Sequence, residues 1–136
     1  MEILLELKIL SDMKYVSLIK SITNNILKQI GFRSKEKYML NLAISEAIAN
    51  IIEHSYNYEK EKEINYKILK LENEIKFILI DYGKKVEKEK IKSRELDEYK
   101  EGGLGIFLIK NAMDEIKYIH LKDGTKLEMI KKLIKN

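Results

Sequence analysis

Residues 38–56 read YMLNLAISEAIANIIEHSY, and this stretch decides the fold. Its apolar residues recur at spacings of three and four, which predicts an amphipathic helix: Leu40, Ala43, Ile44, Ala47, Ile48, Ile51 and Ile52. Glu46, Asn50 and His54 follow one another at intervals of four and are therefore expected on one side of this helix. An acid, an amide and an imidazole in register are either an ordinary solvated face or one wall of a site.

The segments around this helix predict an α+β two-layer sandwich. Strand patterns occupy residues 2–9, 64–71, 74–81, 115–121 and 126–134. One further helix precedes the central one and ends at Gly31, and another follows Gly105. A highly charged segment, residues 84–101, lies before that last helix. The predicted order is β-α-α-β-β-loop-α-β-β, with strands that pair locally and three helices on one face.

The composition is that of one globular domain, which we expect to span residues 1–136. The chain is 45% hydrophobic and 35% charged, enough to bury one core. It contains no cysteine, which excludes disulfides and thiolate metal sites and makes a reducing cytoplasm the simplest location. No basic leader and no apolar run of membrane-spanning length occurs, so we expect no membrane association. Basic residues (26) and acidic residues (22) are interspersed, without the alternation of aromatic and basic residues typical of nucleic-acid binders, so we expect no direct nucleic-acid binding.

Four short motifs each have a use in holding a purine nucleotide: Glu46-x-x-x-Asn50, Asp81-x-Gly83, Gly102-Gly103-Leu104-Gly105 and Gly124-Thr125. A carboxylate at a strand end can accept the exocyclic amine of adenine, and glycines at a helix N-terminus expose N–H groups to phosphate. An amide oxygen suits Mg²⁺, and a glutamate one turn earlier is placed to act as a general base. Each motif alone has an ordinary structural explanation, and only their joint order and spacing carry weight.

That order resembles the Bergerat-fold (GHKL) ATPase superfamily, and within it the stand-alone anti-sigma-factor serine/threonine kinases. Residues 42–56 resemble the family's N-box, residues 80–83 its first glycine box, and residues 102–109 its second. Residues 113–116, Met-Asp-Glu-Ile, are characteristic of the anti-sigma kinase branch, and Gly124-Thr125 is similar to the family's closing Gly-Thr. The resemblance covers almost the entire chain. It implies a mixed, mainly antiparallel sheet covered on one face by helices.

The resemblance also implies ATP and Mg²⁺ as cofactors and a role for each site residue. Glu46 would be the catalytic base and Asn50 the Mg²⁺ ligand. Asp81 would recognise the adenine amine, with the hydroxyl of Thr125 near the base. Where the family commonly has a second glycine, this chain has Lys84-Lys85-Val86, and many stand-alone members place an apolar residue where Val86 stands. The other expected nucleotide contacts belong to the glycine boxes and the end of a lid over residues 84–101: Gly83, Val86, Gly102, Gly103, Leu104, Gly105 and Ile106.

The function implied by the resemblance is that of an ATP- and Mg²⁺-dependent serine/threonine kinase that acts as an anti-sigma factor. Such kinases phosphorylate a STAS-domain antagonist in a partner-switching pathway, sequester a sigma factor, and are often homodimers. The second hypothesis is an ATP-binding protein that sequesters a sigma factor or another partner without transferring phosphate. Glu46 favours the kinase, because a protein that only binds does not need a base at that position.

Overall fold

The computed structural model describes residues 1–83 and 105–133, which form the predicted α+β sandwich. These ranges contain the strands β1 (Glu2–Leu10), β2 (Glu63–Lys70), β3 (Glu74–Asp81), β4 (Glu115–Leu121) and β5 (Gly124–Lys132). They also contain the helices α1 (Val16–Ile30), α2 (Ser34–Asn50) and α3 (Gly105–Ala112). A 3-10 turn over Met13–Tyr15 precedes α1, and a π-helical turn over Ile51–Ser55 extends α2.

The sheet has the strand order β1-β2-β3-β5-β4, and every pairing between its described strands is antiparallel. The expectation of a mainly antiparallel sheet is therefore confirmed. The last hairpin enters the sheet with β5, its second strand, against β3. This topology makes Thr125, near the start of β5, the register partner of Asp81, the last residue of β3.

The helices cover one face of the sheet, and the core lies between the two layers. Ile75, Phe77 and Leu79 alternate along β3 and are fully buried, as their spacing predicts. Thr23 of α1 and Tyr66 of β2 are also fully buried, and their hydroxyls share a hydrogen bond of 2.7 Å. This bond fixes α1 to the sheet and satisfies two polar groups that burial would otherwise penalise.

The ends of the elements agree with the sequence at most positions. Gly31 adopts the left-handed conformation (φ 107°) and closes α1 with N–H bonds to two carbonyls of the last turn. The second hairpin differs from the prediction, because β5 begins at Gly124 rather than at residue 126, and Gly124 pairs with Leu121. No helix in the described ranges is both long and apolar enough to cross a membrane.

Candidate functional site

Helix α2 widens directly after Asn50, and this widening shapes the site. The backbone N–H of Tyr56 donates to the carbonyl of Ile51 at 3.0 Å, five residues earlier, so the turn over Ile51–Ser55 is π-helical. A π turn contains one residue more than an α turn and changes the direction of the side chains that follow. Ser55 and Asn50, five residues apart, consequently line one cavity.

Glu46 and Asn50 both lie against Gly105, as their shared side of the helix predicts, whereas the α-helical spacing that grouped His54 with them ends at Asn50. His54 belongs to the π turn and is not among the residues that line the cavity. Its Nε2 atom instead lies 3.8 Å from the carboxylate of its neighbour Glu53.

Asp81 and Thr125 meet at one end of the β3–β5 pair and contribute two of the polar groups of this cavity. Each is only 4% exposed. The cavity measures about 30 Å³, room for about one or two water molecules. It is lined by Ala47, Asn50, Ile51, Ser55, Asp81, Tyr118, Thr125 and Leu127. Polar side chains converge in this small recess beside apolar ones, a combination that suits the polar edge of a flat ring.

Burial raises the pKa of Asp81 above its ordinary value of 3.8, because desolvation disfavours the charged carboxylate. The N–H of Gly83, which donates to Asp81 Oδ1 at 3.1 Å, and the side chain of Ser55 act in the opposite direction. A carboxylate has acceptor positions for about four hydrogen bonds, and these two groups fill only part of that capacity. A ligand N–H entering the cavity would find an acceptor already partly removed from water.

The hydroxyl of Thr125 is the second polar group of the cavity. Its Oγ1 atom is buried and has no hydrogen-bond partner among the residues that the structure describes. A buried hydroxyl without a partner costs about 1–3 kcal/mol. A ligand that bonds to this atom would remove the cost, so Thr125 is suited to form a hydrogen bond with an occupant of the cavity.

Gly83 lets the end of β3 approach the π turn closely. A methyl group at Gly83 would lie 2.4 Å from the carbonyl oxygen of Ser55 and 2.9 Å from its carbonyl carbon, distances that no side chain tolerates. Glycine is therefore required at this position because the backbone of Gly83 lies close to that of Ser55. The sequence motif Asp81-x-Gly83 is thus explained by two contacts, one to Ser55 and one to the Asp81 carboxylate.

Glu46 and Asn50 lie against the start of α3. A methyl group at Gly105, the first residue of that helix, would lie 3.1 Å from Glu46 Oε2 and 3.8 Å from both Nδ2 and Oδ1 of Asn50. The first N–H groups of a helix lack intrahelical partners and favour anions. An anionic group and a cation held by the Asn50 oxygen therefore fit together here, close to a carboxylate.

Some of the remaining predicted nucleotide contacts fall within the described residues and some fall outside them. Ile106 is buried in the first turn of α3, with 5% exposure. The lid assigned to residues 84–101 lies outside the described residues, as do Val86, Gly102, Gly103 and Leu104.

The described residues contain no group of three or more His, Asp or Glu side chains that could hold a metal ion. Asn50 offers a metal ion one amide oxygen, beside the start of α3 where ligand anions are favoured. Such a donor set fits a cation that retains waters and binds ligand phosphates, which is the usual behaviour of Mg²⁺.

Sequence reasoning missed two polar residues of the cavity, Ser55 and Tyr118. Tyr118 is the register partner of Leu127 on β5, and the β4–β5 pairing would have indicated it. Ser55 was missed because α-helical spacing from Asn50 leads to His54, whereas the π turn brings Ser55 to the cavity.

Comparison with known proteins identifies the family. The sequence model described as the histidine kinase-like ATPase domain matches residues 9–131. The chain therefore belongs to the histidine kinase-like ATPase domain family, and the resemblance drawn from its motifs is confirmed.

Its relatives include several proteins named serine-protein kinase RsbW. That of Oceanobacillus iheyensis is 31% identical over 83% of this chain and 77% of its own length. That of Staphylococcus aureus MRSA252 is 31% identical over 93% of this chain and 85% of its own. That of Bacillus velezensis is 27% identical over 95% and 85% of the two chains.

Solved structures share the fold. The SiaB–SiaC complex from Pseudomonas aeruginosa matches with a TM-score of 0.72 at 14% identity, covering 95% of this chain and 89% of that chain. The RsbU and RsbW domains of a Mycobacterium tuberculosis protein match with a TM-score of 0.67 at 17% identity, covering 95% of this chain and 32% of that chain.

Proposed function

We propose that this chain is an ATP-dependent protein serine/threonine kinase of the RsbW type, with residues 1–136 as one ATPase domain. The observation that carries the proposal is the pairing of Asp81 with Thr125 in one cavity. A desolvated carboxylate lies there beside a buried hydroxyl that has no hydrogen-bond partner within residues 1–83 and 105–133, at one end of the wall that also presents Asn50. This donor set is suited to the amine edge of adenine.

The base-binding end of the site would hold adenine through Asp81 and Thr125. The Asp81 carboxylate would accept a hydrogen bond from the exocyclic amine, and the Thr125 hydroxyl would gain a hydrogen bond that no described residue supplies. Gly83 keeps this end of β3 against the π turn. The nucleotide contacts proposed on the basis of the family motifs alone are Val86, Gly102, Gly103, Leu104 and Ile106.

The phosphate-binding end would lie where Glu46 and Asn50 meet the start of α3. The phosphates would bind the N–H groups at the start of that helix, which begins at Gly105, and the Asn50 oxygen would hold Mg²⁺. The chemistry that a bound Mg²⁺ would supply there is neutralisation of the phosphate charge. Glu46, beside this end, would accept the proton of the attacking serine hydroxyl as general base.

The partners we propose are a sigma factor, which the chain sequesters, and a STAS-domain antagonist, which it phosphorylates. The support is the similarity to RsbW kinases over most of both chains. A homodimer and a cytoplasmic location accompany this proposal. The interspersed charges of the sequence agree with protein partners rather than nucleic acid.

The first experiment is a thermal melt with 1 mM ATP, in the presence and absence of Mg²⁺. A ligand that binds only the native state stabilises it, by about 1.4–2.7 kcal/mol at ten to a hundred times its Kd. We expect a rise of several degrees that is larger with Mg²⁺. An unchanged melting temperature would refute ATP binding.

The second experiment separates the kinase from a protein that only binds ATP. Glu46→Gln preserves the size of the side chain and removes its basicity. We expect it to retain the ATP-dependent thermal shift and to lower phosphorylation of a STAS-domain substrate by about 10²–10⁴-fold. The matched control is Glu53→Gln, an exposed position in the π turn, which should leave phosphorylation unchanged. Equal rates for Glu46→Gln and the wild type would exclude Glu46 as the base.

A further inference from the structure

The phenol of Tyr56 connects three segments beside the cavity. The side chain is 5% exposed, and its hydroxyl accepts a hydrogen bond of 2.7 Å from the N–H of Tyr82. The same hydroxyl donates to the carbonyl of Glu63. One side chain at the end of the π turn thus binds the backbone at the start of β2 and the backbone that follows β3.

These contacts lie next to Asp81 on both strands. Glu63 precedes Ile64, which is the register partner of Asp81 across β2 and β3, and Tyr82 follows Asp81 directly. The next N–H along the chain, that of Gly83, donates to Asp81 Oδ1. The Tyr56 hydroxyl therefore holds the peptide group that joins Asp81 to Tyr82. This group lies between the Asp81 carboxylate and the Gly83 N–H that donates to it.

We propose that Tyr56 is a positioning residue for purine recognition: its hydroxyl holds the end of β3 against the π turn and so fixes the orientation of the Asp81 carboxylate. The inference rests on the proposed function, in which Asp81 accepts the exocyclic amine of adenine. Tyr56 itself lies outside the residues that line the cavity. It acts through Tyr82 and Gly83.

The hydroxyl, and not only the ring, is required for this role. It uses its donor and an acceptor position at once, to two separate backbone groups. Burial raises the pKa of Tyr56 to about 12, so the phenol keeps its proton through the neutral range. Phenylalanine would fill the same volume and leave the Tyr82 N–H and the Glu63 carbonyl without these bonds.

The contact also explains the arrangement of the π turn. With Tyr56 bonded to Tyr82, the carbonyl of Ser55 lies so close to Gly83 that no Cβ fits between them. The turn and the strand end are thus joined at two adjacent positions, one through a side chain and one through close backbone packing. A change at either position should alter the direction of the Asp81 carboxylate.

The test is base discrimination, measured as the ratio of the Kd values for inosine triphosphate and ATP by calorimetry with the full chain. Inosine triphosphate has a carbonyl where ATP has the exocyclic amine, so a correctly oriented carboxylate should disfavour it. We expect Tyr56→Phe to lower this ratio about tenfold, the equivalent of one hydrogen bond of about 1.4 kcal/mol. The triphosphates are identical in both ligands, so changes at the phosphate end cancel in the ratio.

The matched control is Tyr66→Phe. Tyr66 is a second buried phenol with one hydrogen bond, to Thr23, and it lies outside the site. Loss of this hydrogen bond should lower the melting temperature without changing the ratio of the two Kd values. A merely structural role for Tyr56 would make the two variants behave alike.

The outcomes distinguish the two proposals. A wild type that binds ATP and inosine triphosphate equally would refute adenine recognition by Asp81, and with it the role of Tyr56. A wild type that discriminates, together with an unchanged ratio in Tyr56→Phe, would overturn the positioning role alone.

If Tyr56→Phe does not fold, Gly83→Ala tests the same junction from the strand side, since its methyl group must displace the Ser55 carbonyl. Unchanged discrimination in that variant would also overturn the inference.

Discussion

Gly124 and Asp81 are in direct backbone contact across the β3–β5 pair. A methyl group at Gly124 would lie 1.9 Å from the carbonyl oxygen of Asp81 and 2.9 Å from its carbonyl carbon. The glycine is therefore required by the close approach of two strands at the cavity. The geometry of Asp81 is constrained from β5 as well as from the π turn.

We expect Gly124→Ala to weaken both the fold and the site. Separating the strand ends should cost about 1–3 kcal/mol in the free energy of unfolding, by overpacking. ATP affinity should fall as well, because Asp81 and Thr125 move apart. Calorimetry with ATP and a denaturant titration measure the two effects.

Gly31→Ala is the control for that experiment. It introduces a side chain at a φ of 107° with no atom of the described residues, its chain neighbours apart, within 4 Å, so it should cost about 1–2 kcal/mol through backbone strain alone. Its ATP affinity should remain that of the wild type. Equal losses of affinity in the two variants would show that Gly124 acts through global stability only.

Asp81→Asn should stabilise the ligand-free protein near neutral pH and abolish its preference for ATP. Because burial raises the pKa of Asp81 in the folded state above 3.8, the native carboxyl binds its proton more tightly than the unfolded one. Its contribution to stability is greatest below 3.8 and is lost as the pH rises through the folded-state pKa. Asparagine carries no charge, so the stability of the variant does not fall with rising pH at this position.

The measurement is the difference in melting temperature between Asp81→Asn and the wild type, followed from pH 3.8 upward. The difference should grow in favour of the variant as the pH rises and should then level off. All other carboxylates are common to the two proteins and cancel. A difference independent of pH would contradict the assignment of the raised pKa to Asp81.

Thr125→Val should separate stability from binding. Valine has nearly the shape of threonine and removes the buried Oγ1 atom that has no partner in the described part of the chain. We expect the ligand-free variant to be at least as stable as the wild type, and its affinity for ATP to fall about tenfold through one lost hydrogen bond. Thr125→Ser, which keeps the hydroxyl, should retain more of the affinity. A clear loss of stability in the valine variant would indicate that Oγ1 has a partner in the unliganded protein.

Gly105→Ala should impair phosphotransfer more than nucleotide binding. The added methyl group would lie 3.1 Å from Glu46 Oε2, so the carboxylate must shift by a few tenths of an ångström. Alanine also favours the helix over glycine by up to about 1 kcal/mol, which argues against unfolding as a cause of lost activity. We expect kcat to fall about tenfold with a smaller change in KM, as small displacements of a catalytic group do. An unchanged kcat would argue against Glu46 as the base.

Much of this architecture follows from local patterns. The alternation of Ile75, Phe77 and Leu79 predicted β3 with its observed bounds, and so placed Asp81 at a strand end. Gly31 was recognisable as the end of α1 because few residues other than glycine adopt its conformation readily. The three motifs that contain glycine were visible for a related reason: glycines are scarce in this chain, and Gly83 and Gly124 each mark a close backbone approach.

The π turn could not be predicted in this way. Over five residues, α and π spacing place apolar side chains almost equally well, so Ile51 and Ile52 support either conformation. The contacts that favour the π form come from distant segments, through the bonds of Tyr56 to Glu63 and Tyr82. The place of Gly124 at the start of β5 could not be predicted locally either. Only the β3–β5 register brings it against the Asp81 carbonyl, which excludes a side chain at this position.

The strand order also has a consequence for folding. Asp81 and Thr125 become neighbours only when β5 joins β3, after the hairpin of β2 and β3 can already have formed locally. Joining positions separated by about 40 residues costs about 3 kcal/mol of chain entropy. This part of the sheet should therefore form late and open first. A ligand that spans it would be seen as slower hydrogen exchange along β5, well before any change in the amides of α1.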